Sequence, residues 1–207
     1  MKRFLEISLL TLAFAFSVNG QEHSTRPNNP SPPTKAPDNG GWVQFNSDAG
    51  NFSVLMPEIP TDKVETTNSA HGPYTTHLFV VFNADFVYLI GWVDYQPSFN
   101  FNRTAELEAN RDNFVKGING TLQSTHSTTI DGYPVIEFTA QTADRNFKSR
   151  VYMSGRRPYQ VAIGWPKGMD DPLKINRFID SFKLNQPGAT PSNSTRPIER
   201  AASAESH

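Results

Sequence analysis

The chain of 207 residues contains no cysteine. Disulfide bonds, thiol nucleophiles and metal sites built on thiolates are therefore excluded. An exported protein usually gains part of its stability from disulfide bonds. If this chain is exported, its stability must come from a hydrophobic core without covalent cross-links.

Several signatures of catalytic and cofactor sites are also missing. The sequence has no Gly-x-Ser-x-Gly elbow, no phosphate-binding loop ending in Gly-Lys-Ser/Thr, no His-Glu-x-x-His motif and no EF-hand loop. We therefore assign no catalytic residue, no cofactor-binding residue and no metal ligand. His77 and His126 fall on different predicted strands and could meet, but such a pair is usually a surface or packing feature.

The chain has no excess of either charge, with 19 basic and 20 acidic residues. A nucleic-acid-binding protein typically carries a clear positive excess, so this class of protein is disfavoured. The charges are nevertheless unevenly distributed. Residues 41–144 hold four basic and twelve acidic residues, whereas residues 145–169 hold six basic residues and no acidic one.

Long hydrophobic runs are missing after the first twenty residues. At the start of the chain, Lys2 and Arg3 precede a mostly apolar stretch over residues 7–18, and Gly20 follows it. This order is typical of a signal peptide over residues 1–20 that is cleaved on export. An uncleaved anchor helix is the alternative, but the run is short for a membrane span. We expect a secreted or periplasmic protein with no transmembrane segment after cleavage.

Proline-rich segments flank a single predicted domain. Residues 21–40 contain five prolines among Asn, Ser and Thr, and residues 186–207 have a similar composition. Such segments cannot bury enough apolar surface to offset the entropy of ordering, which predicts a disordered linker and a disordered tail. The 145 residues between them, 41–185, have the usual size of one domain.

The apolar pattern of this domain predicts about eight strands and two helices, and residues 42–45 and 51–56 are expected to form a first strand pair. Residues 74–82 and 86–95 form the strongest predicted hairpin, and their nearly continuous apolar runs are typical of strands covered on both faces. Helices are predicted over residues 104–118 and 171–184. The fold class predicted is α+β, with one antiparallel β-sheet flanked by helices on both faces.

The clearest local signals lie in the second helix. Asp171 is expected to be its N-cap, and this interpretation is preferred over a catalytic carboxylate pair formed with Asp170. An apolar stripe at i, i+3, i+4 and i+7 follows, which must lie against the strands. Its members are Ile175, Phe178, Ile179 and Phe182.

A basic hairpin precedes that helix. Residues 155–158 are predicted to form a four-residue turn, with Ser154 paired to Tyr159. Because turn residues usually point into solvent and add little to stability, Arg156 and Arg157 are the candidate partner-binding residues. The expected partner is anionic: an acidic protein, a polyanionic envelope polymer or a lipid headgroup surface.

Internal charge compensation is the alternative explanation for the basic residues. Lys148 and Arg150 can face Glu137 across a predicted strand pair, where opposite charges attract. That pairing accounts for much of the same positive charge without a partner.

Four short motifs resemble the PsbP-like domain family in their order and spacing. They are residues 50–57 (Gly-Asn-Phe-Ser-Val-Leu-Met-Pro), residues 131–134 (Asp-Gly-Tyr-Pro), the hairpin over 150–161 and the closing segment 178–184. The resemblance covers nearly all of the predicted domain and implies an α/β/α sandwich around an antiparallel sheet. The protein that gives the family its name is an extrinsic subunit of photosystem II that helps retain calcium and chloride. No set of its ligand residues carries over, so the resemblance implies no cofactor.

Together these features predict an exported, non-enzymatic binding or accessory module of the cell envelope, whose partner is an unknown protein or an anionic envelope component. The alternative is a small hydrolase or ligand-binding protein whose site is assembled from residues far apart in the chain. An enclosed polar pocket that holds His77 or His126 with an acidic residue would favour the alternative.

Overall fold

The computed structural model describes residues 41–69, 72–100 and 102–185. The predicted signal peptide (1–20), linker (21–40) and tail (186–207) lie outside the described residues. Within the described residues the chain forms two α-helices, α1 (Arg103–Gly117) and α2 (Pro172–Ser181), and ten β-strands. The strands are β1 (Val43–Ser47), β2 (Phe52–Met56), β3 (Thr61–Ser69), β4 (Gly72–Asn83), β5 (Phe86–Tyr95), β6 (Thr121–Ile130), β7 (Tyr133–Gln141), β8 (Arg145–Ser154), β9 (Arg157–Pro166) and β10 (Lys183–Leu184).

The described strands β3 to β9 form a seven-stranded sheet in the order β3-β4-β5-β9-β8-β7-β6. Every neighbouring pair in it is antiparallel. Tight turns make this possible: Asp131 and Gly132 both have positive φ angles in the turn between β6 and β7, as the Asp-Gly signal predicted. The predicted α+β class with a large antiparallel sheet is confirmed.

A second sheet packs beside the first. Its β1–β2 pair confirms the predicted first strand pair, but the separation of this pair from the large sheet was not predicted. In the described part of the chain it contains three strands in the order β1-β2-β10. Residues 183–184 were expected to continue the second helix, but Phe182 has an extended backbone (φ −68°, ψ 127°) and ends it. Lys183 and Leu184 then pair with Ser53 and Phe52 of β2. The apolar stripe correctly predicted that Phe182 is buried. Phe182 is nevertheless not part of the helix, because α2 ends at Ser181.

Both helices begin with the caps that their sequences allow. The Asp171 carboxylate accepts a hydrogen bond from the backbone N–H of Lys174 at 3.0 Å, which confirms the predicted N-cap of α2. In α1 the side chain of Asn102 accepts from the backbone N–H groups of Thr104 and Ala105. Asp170 accepts from the Trp165 indole at 2.7 Å, so it holds the preceding loop. Neither described helix is long and apolar enough to span a membrane.

Two hydrophobic clusters fill the interior. The first joins the small sheet, the buried side of α2 and one set of β5 residues that includes Tyr88 and Ile90. The second joins α1 to the intervening β5 residues Val87 and Leu89 and to side chains of β7, β8 and β9. Each cluster therefore contains side chains from one of the two helices.

The β8–β9 hairpin is tighter than predicted. Gly155 and Arg156 form a two-residue turn, and Ser154 pairs with Arg157 instead of Tyr159. Gly155 takes the first turn position with φ 60°, a conformation that favours glycine. Because the shift is two residues, every side chain keeps its predicted face of the sheet. Arg157, however, moves from the turn into the strand.

Candidate functional site

Arg157 is the first residue of β9 and is bound on several sides. Its Nε and Nη2 atoms each lie 2.6 Å from Oδ1 of Asp94. Its Nη1 atom donates to the carbonyl oxygen of Ala49 at 3.0 Å and lies 3.3 Å from the Tyr159 hydroxyl. The guanidinium thus links β9, β5 and the turn between β1 and β2. The expectation that Arg157 points into solvent with few neighbours is wrong, because the shorter turn places it in the strand.

Arg156 occupies the second turn position and is exposed to solvent, as expected. Its Nη2 atom donates to the backbone carbonyls of Gln96 and Phe99, in the loop that follows β5. The loop is itself folded back by a hydrogen bond from the Phe99 N–H to the Gln96 carbonyl at 2.9 Å. The ring of Phe99 stacks on Tyr95 with centroids 4.6 Å apart. The guanidinium of Arg156 is therefore held against the loop of residues 96–99.

Asp94 is the centre of a polar group that we call the Asp94 cluster: His77, Trp92, Asp94 and Arg157. Its Oδ2 atom accepts from the Trp92 indole at 3.2 Å and lies 3.1 Å from Nε2 of His77. The His77 and Trp92 rings are parallel, with centroids 4.3 Å apart and planes 4° apart. This arrangement follows from the strand pairing, because His77 lies opposite Trp92 on neighbouring strands. Trp92 and Asp94 share a face because they are two residues apart.

The electrostatics of the cluster favour a neutral His77. Burial lowers its pKa below the usual 6.5, although the Asp94 carboxylate acts in the opposite direction, and the nearby Arg157 charge also lowers it. A neutral imidazole can still donate to Asp94 through Nε2–H. The negative charge of Asp94 is therefore balanced mainly by Arg157, and His77 contributes a hydrogen bond and a stacked ring.

The low pKa of His77 predicts a loss of stability on acidification. The unfolded chain takes up a proton at this residue near pH 6.5, while the folded protein resists protonation until a lower pH. The stabilisation is fully present above about pH 6.5 and is lost as the pH falls through the folded-state pKa. Urea unfolding at about pH 7.5 and about pH 5.5 should show a smaller drop in unfolding free energy for His77→Gln than for the wild type. Equal drops in the two proteins would contradict the prediction.

His77 and His126 do not meet. His77 lies on β4 and His126 on β6, and the described strands β5, β9, β8 and β7 separate them. At about 4.8 Å between neighbouring strands, five steps place the two backbones about 24 Å apart. The predicted possibility of a histidine pair is therefore wrong, because sequence patterns do not show strand order.

Lys148 and Arg150 of the hairpin compensate charge inside the domain. Arg150 lies opposite Glu137 on β7, and its Nε is 2.6 Å from Oε2 of that residue. Its Nη1 lies 2.8 Å from Asp180 on α2, and Lys148 Nζ is 3.9 Å from Glu137. These contacts confirm the compensation that strand pairing suggested for Lys148 and Arg150.

Trp92 and Asp94 were not identified from the sequence, because their positions depend on the register of the β4–β5 hairpin. Ala84 takes a positive φ of 51° in a two-residue turn between β4 and β5. That turn sets the register of the whole hairpin and places Trp92 opposite His77. The link from Asp94 to Arg157 had no comparable local signal.

Comparisons with known proteins concern the fold. The chain matches no protein-family model, and no curated protein matches it. It is similar to the solution structure of cyanobacterial PsbP (CyanoP) from Synechocystis sp. PCC 6803, with 11% identity and a TM-score of 0.47 over 73% of this chain and 99% of that chain. It is also similar to a protein from Bacteroides thetaiotaomicron VPI-5482, with 13% identity and a TM-score of 0.39 over 70% of this chain and 49% of that chain.

Proposed function

We propose that this chain is an exported, non-enzymatic binding module of the cell envelope that holds an anionic partner at the Arg156 end of its large sheet. The observation that supports this proposal is Arg156 itself: it is exposed, and the carbonyls of Gln96 and Phe99 hold its guanidinium in place. A side chain ordered in advance loses less conformational entropy on binding than a mobile one. A carboxylate or phosphate could therefore approach a cation that is already positioned.

We also infer that the large sheet carries one helix on each face. Tyr88 and Ile90 belong to the cluster of α2, whereas Val87 and Leu89 belong to the cluster of α1. Successive strand residues point to opposite faces, which supports opposite positions for the two helices. Nuclear Overhauser contacts in solution test the arrangement: contacts from Phe178 to Val87 rather than to Tyr88 would contradict it. With a helix packed on each face, the large sheet would hold the turn that carries Arg156 in a fixed place.

Capture from the native envelope fraction tests the proposed function. The wild-type chain, Arg156→Ser and the control Lys167→Ser are immobilised in equal amounts. Lys167 is also an exposed residue just outside β9, but it follows the other end of this ten-residue strand, about 30 Å away. The control therefore removes the same charge from a different surface. Arg157→Ser is unsuitable because it would leave Asp94 without its main cation.

We expect Arg156→Ser to capture less envelope material than the wild type, while Lys167→Ser captures the same amount. Capture by the wild type should also weaken as ionic strength rises from about 0.01 M to 0.15 M, because the Debye length falls from about 30 Å to about 8 Å. Melting temperatures of the three proteins should agree within a few degrees. Equal capture by all three proteins at low salt would show that Arg156 serves the loop alone.

A hydrolase or ligand-binding protein remains the second candidate, and the contact of His77 with Asp94 meets one part of the condition set for it, a histidine beside an acidic residue. His77 lies 3.1 Å from Asp94, and its low pKa keeps it neutral, the form in which histidine can act as a general base. The test is an assay of wild type and His77→Gln on chromogenic esters, phosphate monoesters and glycosides. Turnover by the wild type that His77→Gln lacks would support this candidate, and turnover that both share would exclude His77 from the reaction.

Export predicts a defined mature N-terminus. We expect the exported protein to begin at Gln21, because Gly20 supplies the small residue required before the cleavage site. N-terminal sequencing of protein from the envelope or medium measures it. The matched variant Gly20→Phe should block cleavage at that bond. An intact Met1 on the exported wild-type protein would contradict the prediction.

A further inference from the structure

We propose that two copies of this chain associate through their β6 strands, which pair antiparallel across a two-fold axis and continue the large sheet from one copy into the other. Among the described residues, β6 ends the large sheet and is paired with a strand, β7, on one side only. The other side of an edge strand presents backbone N–H and C=O groups that can pair with a further strand. Eight of the ten β6 residues are exposed.

β6 also lacks the features that usually protect an edge. Its sequence, Thr-Leu-Gln-Ser-Thr-His-Ser-Thr-Thr-Ile, contains no Asp, Glu, Lys, Arg, Pro or Gly. Edge strands are normally blunted by charged side chains, proline or bulges, and β6 has one register shift, between Leu122 and Ser124, near its start. Residues 124–130 then follow a regular register that leaves a continuous edge for pairing.

The opposite edge of the sheet shows the protection that β6 lacks. β3 carries Asp62, Lys63 and Glu65 in its first five residues. Lys63 Nζ lies 3.5 Å from Glu65, and both side chains are well exposed. A strand added to β3 would have to accommodate these charges, whereas a strand added to β6 would meet no Asp, Glu, Lys or Arg side chain. The two edges of one sheet therefore differ in their suitability for association.

Self-pairing suits the composition of β6 better than pairing with a charged strand. In a two-fold arrangement each residue of β6 meets another β6 residue, so no Asp, Glu, Lys or Arg of one copy is placed opposite its equivalent in the other. Hydroxyl pairs across strands already occur in the domain: Ser124 and Thr139 oxygens are 2.6 Å apart, and Thr66 and Thr75 oxygens are 3.0 Å apart. Such pairs between neighbouring strands are favourable.

Arg111 of the adjacent helix lies beside β6 and is paired within its own copy. Arg111 of α1 reaches β6, where its Nη1 lies 3.2 Å from the Thr125 hydroxyl. Its Nε lies 2.7 Å from the carboxylate of Asp112, so the pair is close to neutral. The Arg111 charge beside β6 is therefore compensated within its own copy.

Sedimentation velocity on protein produced from the full-length sequence tests the proposal. We expect a monomer–dimer equilibrium that depends on protein concentration. The variant Ser127→Lys/Thr128→Lys places four lysines in the paired strands and should weaken dimerisation by about tenfold or more. The matched control Thr61→Lys/Thr66→Lys adds the same charge to exposed positions of β3 and should change the dimer dissociation constant by less than about twofold. A wild type that stays monomeric up to roughly 0.5 mM, or a dimer that survives the β6 substitutions, would overturn the proposal.

Hydrogen exchange on the wild type provides a second readout that does not depend on a variant folding. Amides of β6 should exchange more slowly at high protein concentration than at low concentration, while amides of β3 should exchange at the same rate in both. Concentration-dependent protection that appears in β3 and not in β6 would assign the contact to the other edge and would also overturn the proposal.

Discussion

Phe178→Ala is expected to lower the free energy of unfolding by about 3–5 kcal/mol, the usual cost of removing a buried phenylalanine ring. Phe178 is fully buried on α2, and its ring meets Tyr88 of β5 edge-on at a centroid distance of 5.1 Å. Truncation leaves a cavity between the helix and the large sheet. Because typical domains have only about 5–15 kcal/mol of net stability, the variant should melt far below the wild type.

A control on the same helix separates packing from helix propensity. Leu173 lies in the first turn of α2 and is 86% exposed, so Leu173→Ala should change the unfolding free energy by no more than about 0.5 kcal/mol. Urea unfolding followed by circular dichroism measures both variants. A loss below about 1 kcal/mol for Phe178→Ala would show that α2 does not pack on the sheet in solution.

Phe52→Ala should cost a similar amount, about 3–5 kcal/mol, for a different reason. Phe52 lies on β2 of the small sheet and is fully buried. Its ring lies 5.8 Å from that of Trp92 and 6.5 Å from that of Tyr159 on the large sheet, and 5.3 Å from Phe182. One ring therefore connects the small sheet, the large sheet and the segment that follows α2. Its removal should weaken the attachment of the small sheet.

Phe82→Ala is the matched control for this substitution. Phe82 lies near the end of β4 and is 64% exposed, so the same change in chemistry removes little buried surface. We expect its cost to stay below about 1 kcal/mol. Similar losses of unfolding free energy for Phe52→Ala and Phe82→Ala would contradict this packing of β2. A buried ring and an exposed ring would then contribute equally to stability.

Features set by neighbouring residues could be predicted from the sequence. The N-cap Asp171, the Asp-Gly turn between β6 and β7 and the hairpin of β4 and β5 each depend on a few consecutive residues. The small sheet could be predicted only in part, because its β1–β2 pair is local but its third strand is not. β10 is two residues long, and its Leu184 pairs with Phe52, far away in the chain. No local pattern distinguishes such a strand from the end of a helix.

Arg156 and Arg157 show that sequence patterns predict local structure but not contacts between distant residues. A basic pair beside glycine indicated an exposed turn, and Arg156 is exposed. Arg157 could not be placed from its neighbours, because its partner Asp94 lies 63 residues earlier and its contact Ala49 lies 108 residues earlier. The turn is two residues shorter than predicted, so each strand residue stays on its predicted face of the sheet. Arg157, however, lies in β9 and not in an exposed turn. Sequence patterns therefore predicted burial better than they predicted the site.

The proposed binding role depends most directly on one ratio: the envelope material captured by Arg156→Ser divided by that captured by Lys167→Ser, at low ionic strength and with both proteins folded. Arg156 has a fixed, exposed guanidinium beside the loop of residues 96–99, whereas Lys167 lies beyond the other end of β9. The account predicts a ratio well below one that rises towards one as salt screens the charges. A ratio of one at low salt would contradict it.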